Sequence, residues 1–293
     1  LIPYIKASGE LKTKPTQASV KELQGMGIQP DIIVCRSEHE LDQGLKDKIA
    51  LFCNVPNSHV LQNLDVEYLY EAPLAMEAEN LAKVACECLG LDCPEPDLAD
   101  WKQMVEDLRH PDKEVKIALV GKYTALHDAY ISVVEALKHG GIPEHATVDI
   151  NWVDSELLND DNAAEIFDGI QGIIVPGGFG DRGVEGMISA AKYARENNIP
   201  YLGLCLGMQV AIIEFARHVC RFNDAHSIEL DPNTTHPVIA LMPDQNGVED
   251  IGGTLRLGSY PCVLEKDSKA YEMYGTENIN ERHRHRYEVN NDY

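Results

Sequence analysis

Basic residues are scarce in this chain. Lys and Arg number 25 against 48 Asp and Glu in 293 residues, a formal net charge of −23. A polyanion gains no affinity by releasing counterions from a nucleic acid, so neither DNA nor RNA is expected as a partner. Long apolar runs are missing too. No stretch reaches the roughly 18 apolar residues that a membrane-spanning helix needs, so no membrane partner is expected. Low-complexity blocks and repeats with a period of about 20–50 residues are absent, which argues against disorder and against solenoids. The eight cysteines contain no Cys-x-x-Cys pair. Cys86-x-Cys88 followed by Cys93 invites a zinc reading, but the spacing is wrong, no second knuckle follows, and residues 81–85 read as helix. Reduced thiols in a cytoplasmic protein are the simpler account. The chain also lacks an initiator Met, a basic leader and a terminal stop signal, so a fragment cut at both ends is expected.

What is present looks like an ordinary soluble globular protein, 44% hydrophobic and 25% charged. Its length suits two domains of about 150 residues each. Apolar strand-like runs alternate with helical patterns, the signature of an α/β fold with parallel sheets. In the first region, residues 31–36 and 48–55 read as buried strands. A helix at 17–24 precedes them, capped by Thr16 and ended by Gly25 and Gly27. The Asp-, Cys- and Pro-rich stretch 90–96 reads as a linker, followed by a polar helix at 97–109. A second alternation then begins: strand 115–120, helix 129–139, strands 147–153 and 169–175, helix 184–197, strand 199–204, helix 209–218. Residues 239–263 read as an antiparallel extension. The expected domains are therefore 1–96 and 113–293, joined by a linker helix at 97–112.

The sharpest motif is Gly203-Leu204-Cys205-Leu206-Gly207-Met208-Gln209. It has the form G-x-nucleophile-x-G where a strand turns directly into a helix. Small neighbours permit the tight turn that exposes a strained nucleophile at the sheet's carboxyl edge. A cysteine there sits at a helix N-terminus, which favours the thiolate. A buried structural cysteine between two glycines is the plainer alternative.

Pro176-Gly177-Gly178-Phe179-Gly180 closes the preceding strand, and loops at that edge converge on one crevice. Its N–H groups, with that of Leu206, would form an oxyanion hole opposite the thiolate, which is machinery for acyl transfer. Gly178–Gly183 also satisfies G-x-G-x-x-G, but it is not on the domain's first strand and no acidic residue ends the next one, so a dinucleotide site is disfavoured. Gly121-Lys122-Tyr123-Thr124 only superficially suggests a Walker loop.

Two basic runs stand out against the acidic background. Lys12-Thr13-Lys14-Pro15-Thr16-Gln17 places ammonium groups and hydroxyls before a helix N-terminus, a set suited to polyphosphate or simply a solvated turn. Arg282-His283-Arg284-His285-Arg286, if extended, puts the arginines on one face and the histidines on the other. A guanidinium from it could grip a small carboxylate.

Together KTKPTQ, DIIVCRS, KIALFCNV, VGKYT, PGGFGDRGVEGM, GLCLGMQ, GGTLRLG and ERHRHRYEVN closely resemble the CTP synthases, which aminate UTP. The resemblance runs along the whole chain and implies the rear of a P-loop-type amidoligase domain followed by a class I glutamine amidotransferase domain. It implies that ATP phosphorylates O4 of UTP and that a cysteine thioester releases ammonia from glutamine to displace the phosphate. Cys205 would be the nucleophile, and Gly178 and Leu206 the oxyanion donors. Leu206, Gly207, Met208 and Gln209 would line the glutamine site, with Glu229 on the α-amino group and Arg286 on the carboxylate. Lys12, Thr13, Lys14, Pro15, Thr16, Gln17 and Lys48 would hold UTP, or CTP as feedback inhibitor. Leu64, Asp65 and Val66 would contact the adenine of ATP. Mg²⁺ and its ligands are expected in a front half that this sequence does not contain, so no metal ligand is assigned here. GTP is implied as an allosteric activator, and a homotetramer, with filaments, as the assembly.

The sequence departs from that pattern in one chemical respect. Such amidotransferases complete the triad from a downstream His-Pro-Glu motif, and no His-x-Glu follows Cys205 here. The fragment alone is therefore expected to be inactive. Ala18 and residues 224–226 also differ from the usual family residues. A stand-alone class I glutaminase or cysteine hydrolase is the alternative reading, with the lysine run incidental. A non-catalytic assembly module is a third.

Overall fold

The computed structural model describes residues 1–241 and 258–293. It divides into two compact units, Leu1–Pro111 and Asp112–Tyr293, and its sheets carry the expected parallel α/β pairing.

The first unit opens with a short hairpin, β1 (Tyr4–Ile5) and β2 (Glu10–Leu11). Helix α1 (Lys14–Gly25) begins earlier than the sequence suggests. Its N-cap is Thr13 and not Thr16, because Pro15 suits the first turn of a helix, where no N–H is needed. Thr16 lies inside the helix, buried, and its hydroxyl donates to the Leu1 carbonyl at 2.9 Å.

Strand β3 (Ile33–Ser37) alternates buried and exposed residues and pairs in parallel with β4 (Val60–Leu64). Of residues 48–55, expected as a strand, 48–53 instead belong to helix α2 (Gln43–Cys53), and Asn54 caps its end. Asp42 caps it by accepting from the Leu45 N–H at 2.8 Å. Ile49, Ala50 and Cys53 turn inward at helical spacing, leaving Leu51 and Phe52 exposed. The apolar run that mimicked a strand thus spans both faces of a helix. Helices α3 (Ala72–Ala78), α4 (Leu81–Leu89) and α5 (Ala99–Arg109) complete the unit. The Trp101 indole N–H, on α5, donates to the Tyr70 carbonyl at 2.7 Å.

The second unit is built on a four-stranded parallel sheet in the order β6-β5-β7-β8. Its strands are β5 (Lys113–Gly121), β6 (Ala146–Asp154), β7 (Gly172–Val175) and β8 (Tyr201–Gly203). Helix α6 (Ile131–Gly141) connects β5 to β6, and the single turn α7 (Ala163–Ile166) leads to β7. Helices α8 (Val184–Glu196) and α9 (Leu206–His218) follow β7 and β8. They cover one sheet face, packing Met187, Val210 and Ile213 against Ala118, Val120 and Val175. Leu119 and Ile174 face the other way, toward Tyr130.

Beyond the main sheet, β9 (His226–Ser227) pairs in parallel with β10 (Pro237–Leu241). Strand β11 (Gly258–Val263) and helix α10 (Lys269–Tyr274) lead to β12 (Asn278–His283), antiparallel to β11. Strand β13 (Tyr287–Val289) lies antiparallel to β10. Of the expected antiparallel extension at 239–263, residues 242–257 lie outside the described residues, and with them most of GGTLRLG. The basic run is not continuously extended either. Strand β12 ends at His283, so the expected alternation of arginines and histidines breaks there.

Candidate active site

Parallel strands deliver their following loops to one edge of the sheet. Here β5, β7 and β8 end at Gly121, Val175 and Gly203, and the loops after them carry Lys122, Pro176–Arg182 and Cys205.

Cys205 is held at φ 56°, ψ −108°, directly before the first residue of α9. A non-glycine side chain rarely accepts a positive φ, and surrounding contacts must enforce it. Two glycines supply them. A methyl group on Gly203 would fall 2.4 Å from the Gly207 carbonyl, and one on Gly207 would fall 1.9 Å from the Val175 oxygen. The backbones of β7, β8 and α9 therefore touch where the elbow turns, and the G-x-C-x-G spacing follows from that contact.

The glycine loop completes the other wall. A methyl group on Gly177 would meet the Cys205 Cβ at 3.2 Å and its sulfur at 3.6 Å. Loop and nucleophile are thus in near contact, and a side chain at Gly177 would press on the cysteine. A cavity of about 210 Å³ opens here. Gly178, Cys205, Gln209, Glu229, His285 and Arg286 are among the residues that line it.

The electrostatics of this cavity are specific. Burial raises the Cys205 thiol above the ordinary range, the Leu206 N–H opposes this, and the Glu229 carboxylate adds to it. The Leu206 N–H at the head of α9 favours the thiolate, as the sequence suggests, while desolvation works against it and is the larger effect. Glu229 is itself raised by burial, with Arg286 and Lys122 pulling it back toward ionisation. The Arg286 Nε and the His285 Nε2 are buried without a hydrogen-bond partner. Such groups cost free energy unless something pairs with them, and a bound anion or amide would do so.

Of the residues expected around glutamine, the structure brings Gly178, Cys205, Leu206, Gln209, Glu229 and Arg286 to one cavity. Gly207 and Met208 do not line it. Gly207 is packed against β7, and Met208 is 36% exposed. Gln209 is buried and donates to the Tyr287 carbonyl at 3.1 Å, fixing the start of β13 directly after Arg286. His285 was not singled out, because the extended reading of 282–286 placed histidines opposite the arginines. Lys122 was passed over as a false Walker lysine.

The first unit carries a second cavity, about 590 Å³, lined by Lys12, Thr13, Lys14 and Lys48. Lys48 reaches it from α2, which a strand could not have predicted. Tyr4 and His39, in edge-to-face contact at 4.3 Å, share the wall with Glu10, Glu40 and Asp42. Glu10 accepts from Lys12, which lowers its pKa. Pro15, Thr16 and Gln17 stay off this wall. Gln17 instead donates to the Thr13 hydroxyl at 3.0 Å. Leu64, Asp65 and Val66 lie at the carboxyl end of β4, where Asp65 accepts from the Arg36 Nε at 3.1 Å.

Comparison with known proteins bears on both units. Residues 125–293 match the family profile of class-I glutamine amidotransferases, and residues 1–91 match that of the CTP synthase N-terminus. The chain is 57% identical over all 293 residues to the CTP synthase of Clostridium beijerinckii, and 58% to that of Clostridium kluyveri. It spans 55% of the length of each. Among solved structures, the glutaminase domain of the Trypanosoma brucei enzyme with bound acivicin is 44% identical, with a TM-score of 0.57, over 61% of this chain and 69% of that one.

Proposed function

The chain belongs to the class-I glutamine amidotransferase family, and from that premise we propose that it is the part of a CTP synthase that releases ammonia from glutamine and contributes to the nucleotide site. Residues 1–96 are the rear of the amidoligase domain, 97–112 a linker helix and 113–293 the amidotransferase domain.

Cys205 carries the reading. It stands strained at the head of α9, against a glycine loop, in a cavity lined also by Glu229 and by Arg286, whose Nε is buried without a hydrogen-bond partner. Glu229 takes the α-amino group of glutamine and Arg286 its α-carboxylate, which presents the side-chain amide to the sulfur. Attack by the thiolate forms a tetrahedral oxyanion that the Gly178 and Leu206 N–H groups stabilise. Ammonia leaves on gaining a proton, and water then hydrolyses the γ-glutamyl thioester to glutamate, freeing Cys205. A base must take the proton of the Cys205 thiol before it attacks. The sequence has no His-x-Glu after Cys205, so this chain alone is expected not to turn over.

The first unit's cavity takes the triphosphate of UTP, or of CTP as inhibitor, through Lys12, Lys14 and Lys48, with Thr13 beside them. Leu64, Asp65 and Val66 contact ATP, which phosphorylates O4 of UTP so that ammonia can displace the phosphate. Among the described residues no group of three or more His, Cys, Asp or Glu could hold a metal ion. GTP as activator, a cytoplasmic homotetramer and filament formation complete the proposal.

The test is CTP formation by the complete protein from UTP, ATP, Mg²⁺ and glutamine. Absence of CTP even with ammonia supplied would overturn the synthase reading. Glutamine hydrolysis without any nucleotide effect would leave a stand-alone glutaminase.

A further inference from the structure

Lys122, just past the end of β5, is buried, only 4% exposed. An ammonium group in such a place is costly unless donors and charge are satisfied. Its Nζ donates to the carbonyl of Phe179 at 3.1 Å and to that of Gly180. Its stem lies against Gly178, where an added methyl group would meet Cδ and Cε at 3.5 and 3.6 Å. One side chain thus contacts three consecutive residues of the glycine loop.

The lysine is itself fixed. Its N–H donates to the Tyr130 hydroxyl at 3.0 Å, and its carbonyl accepts from the Arg182 Nη2 at 3.1 Å. The end of β5 and the glycine loop therefore hold each other in both directions.

Glycines at 177, 178 and 180 leave this loop with wide backbone freedom. Anchoring the Phe179 and Gly180 carbonyls fixes the two peptide planes just past Gly178, and the lysine stem packs against Gly178 itself, so the loop is held on the far side of that residue. We propose that Lys122 is a positioning residue for the oxyanion hole, holding this part of the loop so that the Gly178 N–H stays aimed at the oxygen that becomes the oxyanion when Cys205 attacks. This rests on the glutaminase reading above.

The test uses the complete protein and the variant Lys122→Met, which keeps the stem and removes the donor. Loss of a donor in an oxyanion hole lowers kcat about 100–1,000-fold, and a displaced one is expected to lower glutamine turnover at least ~10-fold. KM for glutamine should change less than about threefold, since Glu229 and Arg286 hold its ends. Alkylation of Cys205 by iodoacetamide, which forms no oxyanion, should stay within about twofold of the parent. Lys122→Arg, which can donate to both carbonyls, should recover part of kcat. Should Lys122→Met fail to fold, Lys122→Gln, with one donor amide, is expected to lose kcat with the same selectivity. Unchanged kcat would overturn the proposal, as would a parallel fall in kcat and iodoacetamide alkylation. A parent protein that hydrolyses no glutamine would instead overturn the function on which it rests.

Discussion

Gly207 presses its α-carbon against β7 so closely that a methyl group there would lie 1.9 Å from the Val175 carbonyl oxygen. Both partners are backbone, and neither belongs to a flexible side chain that could swing away. The contact fixes how far α9 stands from the sheet, and hence where Cys205 is presented.

Gly207→Ala should therefore damage both stability and site. Forcing a methyl group into packed surroundings costs about 1–3 kcal/mol, and a clash between backbones belongs at the top of that range. Thermal unfolding of the variant against the parent measures the first effect, and Cys205 alkylation by a glutamine-mimicking chloroketone the second. A variant with parental Tm and parental alkylation would show that the elbow tolerates what its geometry forbids.

Glu229 ties the charge of the site to its pH dependence. Burial, with the Glu229 carboxylate adding to it against the Leu206 N–H, raises the Cys205 thiol, so alkylation should keep rising with pH beyond the ordinary thiol range. Glu229→Gln removes a negative charge that disfavours the thiolate, and the alkylation profile should move to lower pH. The same variant should raise KM for glutamine about 10–100-fold, as a lost hydrogen bond to a charged group does. A profile that stays in place would mean that the carboxylate does not act on the sulfur.

The elbow was legible from sequence because its geometry demands a spacing: a nucleophile between two glycines, after an apolar strand. The same holds for β5, β7 and β8, whose apolar runs are short and bounded by Gly or Pro. What was misread had a separate physical cause in each place. Around Lys48, Leu51-Phe52-Cys53 is apolar on consecutive positions, and only burial distinguishes a strand core from a helix whose outer face is also apolar. Asp42 and Leu45, the cap and its recipient, were the signal available. Around Arg286, a break after His283 turned a supposed alternation into a cluster. Lys122 carries no local signature at all, since its partners lie 57 and 58 residues away. Its position just past the end of a buried parallel strand was the one clue.

Asp224 marks where acid should act on the segment before β10. Its carboxylate accepts from the Thr235 hydroxyl at 2.6 Å and the Thr235 N–H at 2.7 Å, and it meets the His236 ring. These bonds, with Thr235 foremost, hold its pKa well below the ordinary carboxylate range. A depressed carboxyl pKa means the unfolded chain takes up the proton first. The contribution is complete above the ordinary range near pH 4 and falls away as pH drops toward the lower folded value. Asp224→Asn should flatten the acid limb of a stability–pH curve, measured by denaturant unfolding at successive pH values. An unchanged acid limb would place the acid sensitivity elsewhere.

Lys48 gives the nucleotide reading its sharpest check, because it reaches the first cavity from a different element than Lys12 and Lys14. Nothing in a solvated basic turn would make the three respond together, whereas a triphosphate bound among them would shield all three. Amine-reactive labelling of the complete protein, read by mass spectrometry, should show UTP or CTP protecting Lys12, Lys14 and Lys48 but not Lys21, which lies on the exposed side of α1. Lys48→Ala should weaken that protection at the other two, a loss of about 10–100-fold in nucleotide affinity for one charge-assisted contact. Lys12 must leave Glu10 to take a phosphate, so Glu10→Gln should tighten binding by freeing the ammonium. Labelling indifferent to nucleotide at all three lysines would reduce the cluster to surface charge and return the chain to a glutaminase alone.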